Sequence, residues 1–365
     1  MPQPPLADRL LAQAALAHAG RRWDEAEALL RQVLAIAPRS QVALHSLGML
    51  LRQLGRIAEA ETALRQALAS GPVTVPIVYL LSQVLMAQGK YAEAWPMWAV
   101  RHQIPALNLP TPSGVPYPEW RGEDLAGRRI VIFPEQGFGD QIQFARFVPV
   151  LRAKGAQVTL LCWPGLERLF ADSFPDVEVV AAAGQASFSD PDVWTMAGAL
   201  PGHFGVTLET IPAAPYLRAA APPPELPEGF KVGLVTRGNP RHTNDANRSL
   251  SPAQADRLAD LPGQVISLDP AETGAKDFAD TAAIVAQLDL VVSVDTSVAH
   301  LAGALGKPAL VLIPAFSTDW RWLYGRADSP WYPALTLFRG DLRSGWEPAI
   351  DRVRAEVAAR AGTSG

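Results

Sequence analysis

Cysteine is almost missing: Cys162 stands alone in 365 residues. One cysteine excludes an intrachain disulfide and any cysteine-rich metal site, and it suits a reducing compartment. No apolar run reaches the ~20 residues that a membrane span needs. The start, MPQPPLADRLLAQ, lacks a basic stretch followed by an apolar one, so no signal peptide is expected. Positive charge is not in excess either. Lys and Arg number 32 against 36 Asp and Glu, a net charge of −4, without the basic footprint that a nucleic-acid backbone demands. A cytoplasmic globular protein, with no nucleic-acid partner and no membrane span, is the expectation.

Proline, by contrast, is abundant: 33 residues, about 9% of the chain against an average of about 5%. Much of it falls in two clusters, Pro105 to Pro118 and Pro212 to Pro227. Prolines at that density favour extended, semi-rigid chain, which marks joints. Before the first joint the sequence repeats. Trp23, Ile57 and Tyr91 are 34 residues apart, as are Ala26, Ala60 and Ala94, and Pro38 and Pro72. A small residue at a fixed place lets two helices approach, and a proline ends the second helix of each pair. Apolar residues between them, such as Leu47, Leu50, Leu51 and Leu54, keep helical spacing.

This pattern resembles the tetratricopeptide repeat over roughly residues 6–105, with Leu47-Gly48, Ala60, Ala67 and Pro72 on the family's motif. The resemblance implies a curved array whose groove holds a protein partner.

After the first joint, short apolar strands alternate with helical stretches. RRIVIFP, QVTLLCW and VEVVA read as strands of a first lobe; FKVGLV, QVISL, LVVSV and PALVLI read as strands of a second. DQIQFARFVPVLRAKG reads as one helix after the first strand. Such alternation argues for two doubly wound parallel sheets, Rossmann-like in build. The expected organisation is three repeats over 1–105 and a Pro-rich linker over 106–127. A first lobe over 128–225, a second over 226–340 and a C-terminal helix over 341–365 follow. Ligands of such sheets bind beyond the carboxyl ends of the strands, so the loops there are the ones to read.

The loop after the first strand is Glu135-Gln136-Gly137-Phe138-Gly139-Asp140. Its glycines permit a sharp turn, and Asp140 at the helix start is either a cap or an acid–base group. Ile142 stands where a third glycine would complete a dinucleotide fingerprint, so that reading fails. The loop Asp295-Thr296-Ser297-Val298-Ala299-His300 joins an apolar strand to a helix. Its hydroxyls and helix start suit an anion, and His300 shares their face. The loop from Thr236 to Ser249 is dense in Arg and Asn; Arg237, Asn239 and Arg241 suit phosphate and sugar hydroxyls. Asp190-Pro191-Asp192 mimics an Asp-x-Asp metal site but does not end a strand. Trp320, Trp322, Trp331 and Tyr332 could line a sugar pocket or pack between the lobes.

EQGFGDQIQFARFVPVL, RGNPRHTNDANRS, VSVDTSVAHLAGALGKPALVLIP and DWRWLYGRADSPWYP together resemble heptosyltransferase-like glycosyltransferases of family nine that carry such repeats. The likeness covers roughly residues 118–360. It implies the GT-B fold, an acceptor-side first lobe and a nucleotide-sugar-side second lobe. It also implies that Asp140 is the general base and that Asp295, Thr296, Ser297 and His300 form the donor segment. The heptosyltransferases proper carry a lysine in the loop after the second lobe's first strand, where this chain has arginines. Repeats ahead of a GT-B unit also resemble the protein O-GlcNAc transferases. The expected activity is inverting sugar transfer from a UDP-type or similar nucleotide-sugar to a hydroxyl, on a protein presented by the repeats. No metal and no cofactor are expected. The alternatives are an interaction scaffold with non-catalytic lobes, or a transferase acting on a lipopolysaccharide-type acceptor.

Overall fold

The first hundred residues fold as three helix pairs: α1 (Leu6–Ala19) with α2 (Trp23–Ile36), α3 (Gln41–Gln53) with α4 (Ile57–Ser70), and α5 (Val75–Met86) with α6 (Tyr91–Trp98). The repeating alanines explain the pairing. Ala26, Ala60 and Ala94 are all fully buried, where helices approach too closely for a larger side chain. Gly48 serves the same end, since a Cβ there would lie 2.6 Å from Leu64 Cγ. The turn inside each pair needs one left-handed residue, supplied by Arg21, Gly55 and Gly89 with φ of 57, 75 and 75°. A ladder of ion pairs ties successive repeats on the surface: Glu27 holds Arg31 and Arg56, and Glu61 holds Arg65 and Lys90. The last pair is shortened, because Pro96 lies within α6 and the chain passes into a 3₁₀ turn at Ala99–Gln103.

This computed structural model describes residues 5–107, 109, 115–182, 184 and 186–362, so Pro110 and Pro112 of the expected linker lie outside the described residues. The chain divides into two compact units, Met1–Asn108 with Ala315–Gly325, and Leu109–Pro314 with Arg326–Gly365. Ala315–Gly325, assigned by sequence to the second lobe, therefore belongs with the helices. Its aromatic side chains account for this. Phe316 stacks on Trp23 at 4.7 Å, and Trp320 packs edge-on against Tyr91, Trp95 and Trp98 at 5.8–6.3 Å. Backbone bonds from Ser317 N–H to Gln53 O (2.8 Å) and from Tyr324 N–H to Ala87 O (3.2 Å) secure the segment.

The second unit holds two parallel sheets. In chain order its elements are β1 (Arg129–Phe133), α7 (Phe138–Ala145), α8 (Phe147–Ala153), β2 (Gln157–Cys162), α9 (Glu167–Ser173), β3 (Glu178–Ala181), β4 (Val193–Met196) and α10 (Leu200–His203). They continue through β5 (Lys231–Val235), α11 (Asp245–Arg248), α12 (Pro252–Ala259), β6 (Gln264–Ser267), α13 (Pro270–Thr273), α14 (Phe278–Ala286) and β7 (Leu290–Val294). The last are α15 (Ser297–Ala304), β8 (Ala309–Ile313), β9 (Leu335–Arg339) and α16 (Glu347–Gly362). The sheets run β3-β2-β1-β4 and β6-β5-β7-β8-β9. Helical repeats followed by two parallel α/β lobes is the GT-B layout with a repeat array in front. Strands β4 and β9 were not foreseen, being short and mixed in character. The helix expected as one piece over 140–155 breaks at Arg146, because Pro149 has no N–H to give the Ala145 carbonyl. Part of the expected linker joins the first lobe: Trp120 is buried and its N–H donates to Trp194 O at 2.7 Å beside β4.

The core of the second lobe shows why β7 and β8 read as unbroken apolar runs. Both are buried at every position, as strands covered on two faces must be. Ile350, Val353 and Val357 of α16 pack against Val292, Leu310 and Leu312. Each such side chain contributes about 1.5–3 kcal/mol by leaving water.

Candidate functional site

A cleft of about 790 Å³ opens at the carboxyl ends of β5, β6 and β7. The strand order accounts for its place. β5 pairs with β6 on one side and β7 on the other, so the connections leave in opposite directions and part the loops there. Four of the residues singled out from the sequence line it: Arg237, Asn239, Thr296 and Ser297. Asp295, Arg241 and His300 do not, nor do Asp140, Glu135, Gln136, Gly137 and Gly139. Lys276, Asp277 and Phe278 do, and sequence reasoning missed all three; Phe138, named there only as part of its loop, lines it too.

The loop after β5 is held by its own polar side chains. Gly238 N–H donates to Ser249 Oγ at 2.8 Å, and Arg248 bonds Asp245 Oδ1 at 3.1 Å and the Asp295 carbonyl at 3.0 Å. A Cβ at Gly238 would lie 2.4 Å from Asp245 Oδ1 and 2.6 Å from Arg248 Nε, so a larger residue would displace that pair. Arg248 thus joins two of the predicted loops without itself having been predicted. Arg241 is exposed, and its N–H bonds the Asn239 side chain at 3.0 Å. Beside this loop, Thr296 is the N-cap residue of α15, yet its hydroxyl does not cap the helix. It meets Ser293 Oγ at 3.1 Å instead. The positive end of α15 therefore faces the cleft with the Thr296 and Ser297 side chains beside it.

The first lobe contributes α7. Asp140 stands half-buried in its first turn, and Oδ2 accepts the Gly137 N–H at 2.9 Å. Gln136 just before it has φ of 62°, a left-handed conformation uncommon outside glycine. It is held by Trp163, whose indole N–H donates to the Gln136 carbonyl at 2.9 Å. Glu135 is fully buried and accepts the Gly198 N–H, so it serves the loop's interior. Phe138 leans on Phe278 with ring centroids 5.0 Å apart, and Arg168 pairs with Asp277 and Asp280 at 2.8 and 3.1 Å. The Asp280 carboxyl lies below its usual range, chiefly through the Lys276 N–H and then Arg168.

His300 is 6% exposed, touches Gly139, and shares a 3.0 Å hydrogen bond between Nδ1 and the Tyr332 hydroxyl. Burial pushes the Tyr332 phenol well above its ordinary value, so it keeps its proton. Beside it lies Arg146, 2% exposed, its guanidinium 4.7–5.1 Å from the rings of Tyr216, Trp331 and Tyr332. Trp331 and Tyr332 thus pack the lobes together, while Trp320 and Trp322 lie in the repeat unit. The one sequence signal for Arg146 was a charge inside an otherwise apolar helical stripe. Asp190 and Asp192 are spent on Tyr117 Oη and the Arg129 N–H.

Parts of the chain are similar to known proteins. Residues 10–41 and 45–95 match tetratricopeptide repeats, and residues 273–317 match glycosyltransferase family 9 (heptosyltransferase). The chain thus carries one segment that matches tetratricopeptide repeats and another, of 45 residues, that matches glycosyltransferase family 9. Among individual proteins, it is 29% identical over 298 residues to Protein FlbA of Caulobacter vibrioides, covering 68% of this chain. The chain spans about half of that relative's length, 49%. Similar solved structures include the iron-containing dodecameric glycosyltransferase TibC of enterotoxigenic E. coli (13% identity, TM-score 0.41, covering 66% of this chain and 76% of that one). TibC was also solved with ADP-D-beta-D-heptose. A family 9 glycosyl transferase of Veillonella parvula is similar too (12% identity, TM-score 0.41, covering 66% and 98%).

One expectation is corrected by these relatives. No metal and no cofactor were expected, yet TibC is iron-containing. Among the described residues no group of three or more His, Cys, Asp or Glu side chains is set to hold a metal ion. No helix among the described residues is long and apolar enough to cross a membrane.

Proposed function

We propose that this chain transfers a sugar from a nucleotide-sugar to a hydroxyl acceptor, with inversion at the anomeric carbon. The observation that carries the reading is the cleft itself. Its volume of about 790 Å³ suits a small organic ligand, and one wall offers Arg237 and a helix start bearing Thr296 and Ser297. That wall suits a diphosphate, because backbone N–H groups and a helix dipole favour anions. The donor is accordingly a nucleoside-diphosphate sugar of UDP type or similar.

In the proposed reaction the acceptor oxygen attacks the anomeric carbon while the Asp140 carboxylate takes its proton. The bond from that carbon to the phosphate oxygen breaks, and its electron pair leaves with the nucleoside diphosphate. The α15 start, Thr296, Ser297 and Arg237 hold the departing charge. A single displacement of this kind inverts the carbon. The repeats are proposed to present a protein acceptor, as such arrays hold peptides. The proposed setting is cytoplasmic, in keeping with a lone cysteine that is buried.

Thermal shift against a panel of nucleoside diphosphates and their sugars tests the reading, since a ligand of the folded state raises its stability by about 2.7 kcal/mol at a hundredfold excess over Kd. If none of the panel raises the melting temperature, the cleft is not a donor site.

A further inference from the structure

The start of α7 and the start of α15 meet at one contact. A Cβ built on Gly139 would lie 2.8 Å from His300 Cδ2 and 3.3 Å from Nε2, nearer than packed atoms tolerate. The imidazole has little room to yield. It is 6% exposed, its Nδ1 is tied to the Tyr332 hydroxyl at 3.0 Å, and its ring stands edge-on to the Tyr332 ring at 5.5 Å. Tyr332 is itself fixed. It is 1% exposed beside the Arg146 guanidinium, which donates to Trp331 O at 2.8 Å and Gln143 O at 2.9 Å. Tyr216, also against Arg146, donates to the Ile142 carbonyl of α7 at 2.7 Å. Neither His300 nor Asp140 is among the residues that line the cleft, although Thr296 and Ser297 at the start of α15 are.

We propose that His300 is a positioning residue and not a diphosphate ligand: backed by Tyr332 and Arg146, its ring is the spacer that sets the start of α7 against the start of α15. Asp140 directly follows Gly139, so the spacer fixes the proton-accepting carboxylate relative to the helix end that holds the leaving group. A misplacement of about 1 Å in such a pair can cost about a hundredfold in rate without weakening donor binding. This assignment rests on the transfer reading above, and it replaces a direct contact between His300 and the diphosphate.

The proposal makes the sizes of residues 139 and 300 interdependent. Gly139→Ala, His300→Ala and the double variant are compared with the wild type. The readouts are kcat and KM for nucleoside diphosphate release from the sugar donor chosen by thermal shift, and Kd for UDP and ADP by calorimetry. Gly139→Ala is expected to lower kcat at least about tenfold with Kd within about twofold. Removing the ring in that background makes room, so the double variant is expected to recover at least about threefold over Gly139→Ala. Tyr332→Phe keeps the ring and removes only the hydroxyl, and it is expected to lower kcat with Kd unchanged.

His300→Ala weakening UDP and ADP binding about tenfold would make His300 a ligand and overturn the proposal. A double variant reduced by the product of the two single effects would also overturn it. If the wild type binds neither nucleotide and releases none, the transfer reading fails by itself. Melting temperatures of the same four proteins then decide the spacer. Non-additive shifts, with His300→Ala partly restoring Gly139→Ala, support it, and additive shifts refute it.

Discussion

Replacing Asp140 with Asn separates the chemical and the structural roles of one side chain. Its structural role is visible: Oδ2 accepts the Gly137 N–H at 2.9 Å in the first turn of α7. Asp140 is the third residue of α7, after the N-cap Gly137, and Asn there offers a carbonyl oxygen of the same reach to the Gly137 N–H. What Asn cannot keep is the negative charge near a positive helix end, worth about 0.3–1 kcal/mol at a partly exposed position. For a unit of this size, that loss lowers the melting temperature by about 1–4 °C. A general base contributes about 10²–10⁴-fold to turnover. Asp140→Asn is therefore expected to melt within about 4 °C of the wild type, to bind nucleoside diphosphate normally, and to lose at least about a hundredfold in kcat. Calorimetry, thermal melting and a coupled assay for released nucleoside diphosphate read the three quantities on one preparation. A stable variant with near-normal kcat would refute Asp140 as the base, and a drop of 10 °C or more would make its role structural. Glu135 is not the natural substitute, since its carboxylate is fully buried and holds the Gly198 N–H.

Thr296→Val together with Ser297→Ala is expected to weaken nucleoside diphosphate binding by about 1–3 kcal/mol, the scale of lost hydrogen bonds to a charged group; unchanged calorimetric affinity would move the anion site elsewhere. Deleting residues 1–107 is expected to make the remainder aggregate, because Trp320 and Trp322, 3% and 1% exposed within the repeat unit, lose their cover. Changing Phe316, Trp320 and Trp322 to Ser in the truncated chain is expected to relieve that aggregation by light scattering, and no relief would refute the explanation. Cys162 is fully buried, and burial raises its thiol to about 12. Native protein at pH 8 is therefore expected to resist a thiol reagent that labels it fully once unfolded, and rapid native labelling would contradict that burial. The folded value is raised above the unfolded one, so the linked stability is present below about pH 9 and is lost as pH rises toward about 12.

The sequence by itself determined the features whose physics is local or periodic. Ala26, Ala60 and Ala94 announce the repeats because each helix pair must bury the same small residue, and all three are fully buried. The apolar runs of β7 and β8 announce parallel strands because a strand covered on both faces has no polar side. The loops that could carry chemistry were legible as loops, since glycine, proline and polar residues end the runs at strand termini. Tertiary structure alone decided which of their side chains meet. Thr296 and His300 are four residues apart on one helix, yet only Thr296 reaches the cleft, because Tyr332, 32 residues away in sequence, holds the imidazole. Phe138 and Lys276 line the same cleft although 138 positions separate them. Trp320 joins helices that end more than 200 residues earlier, a pairing that no periodicity encodes. Contacts over such separations depend on how the chain closes its loops, and composition records the groups available for them but not the partners they find.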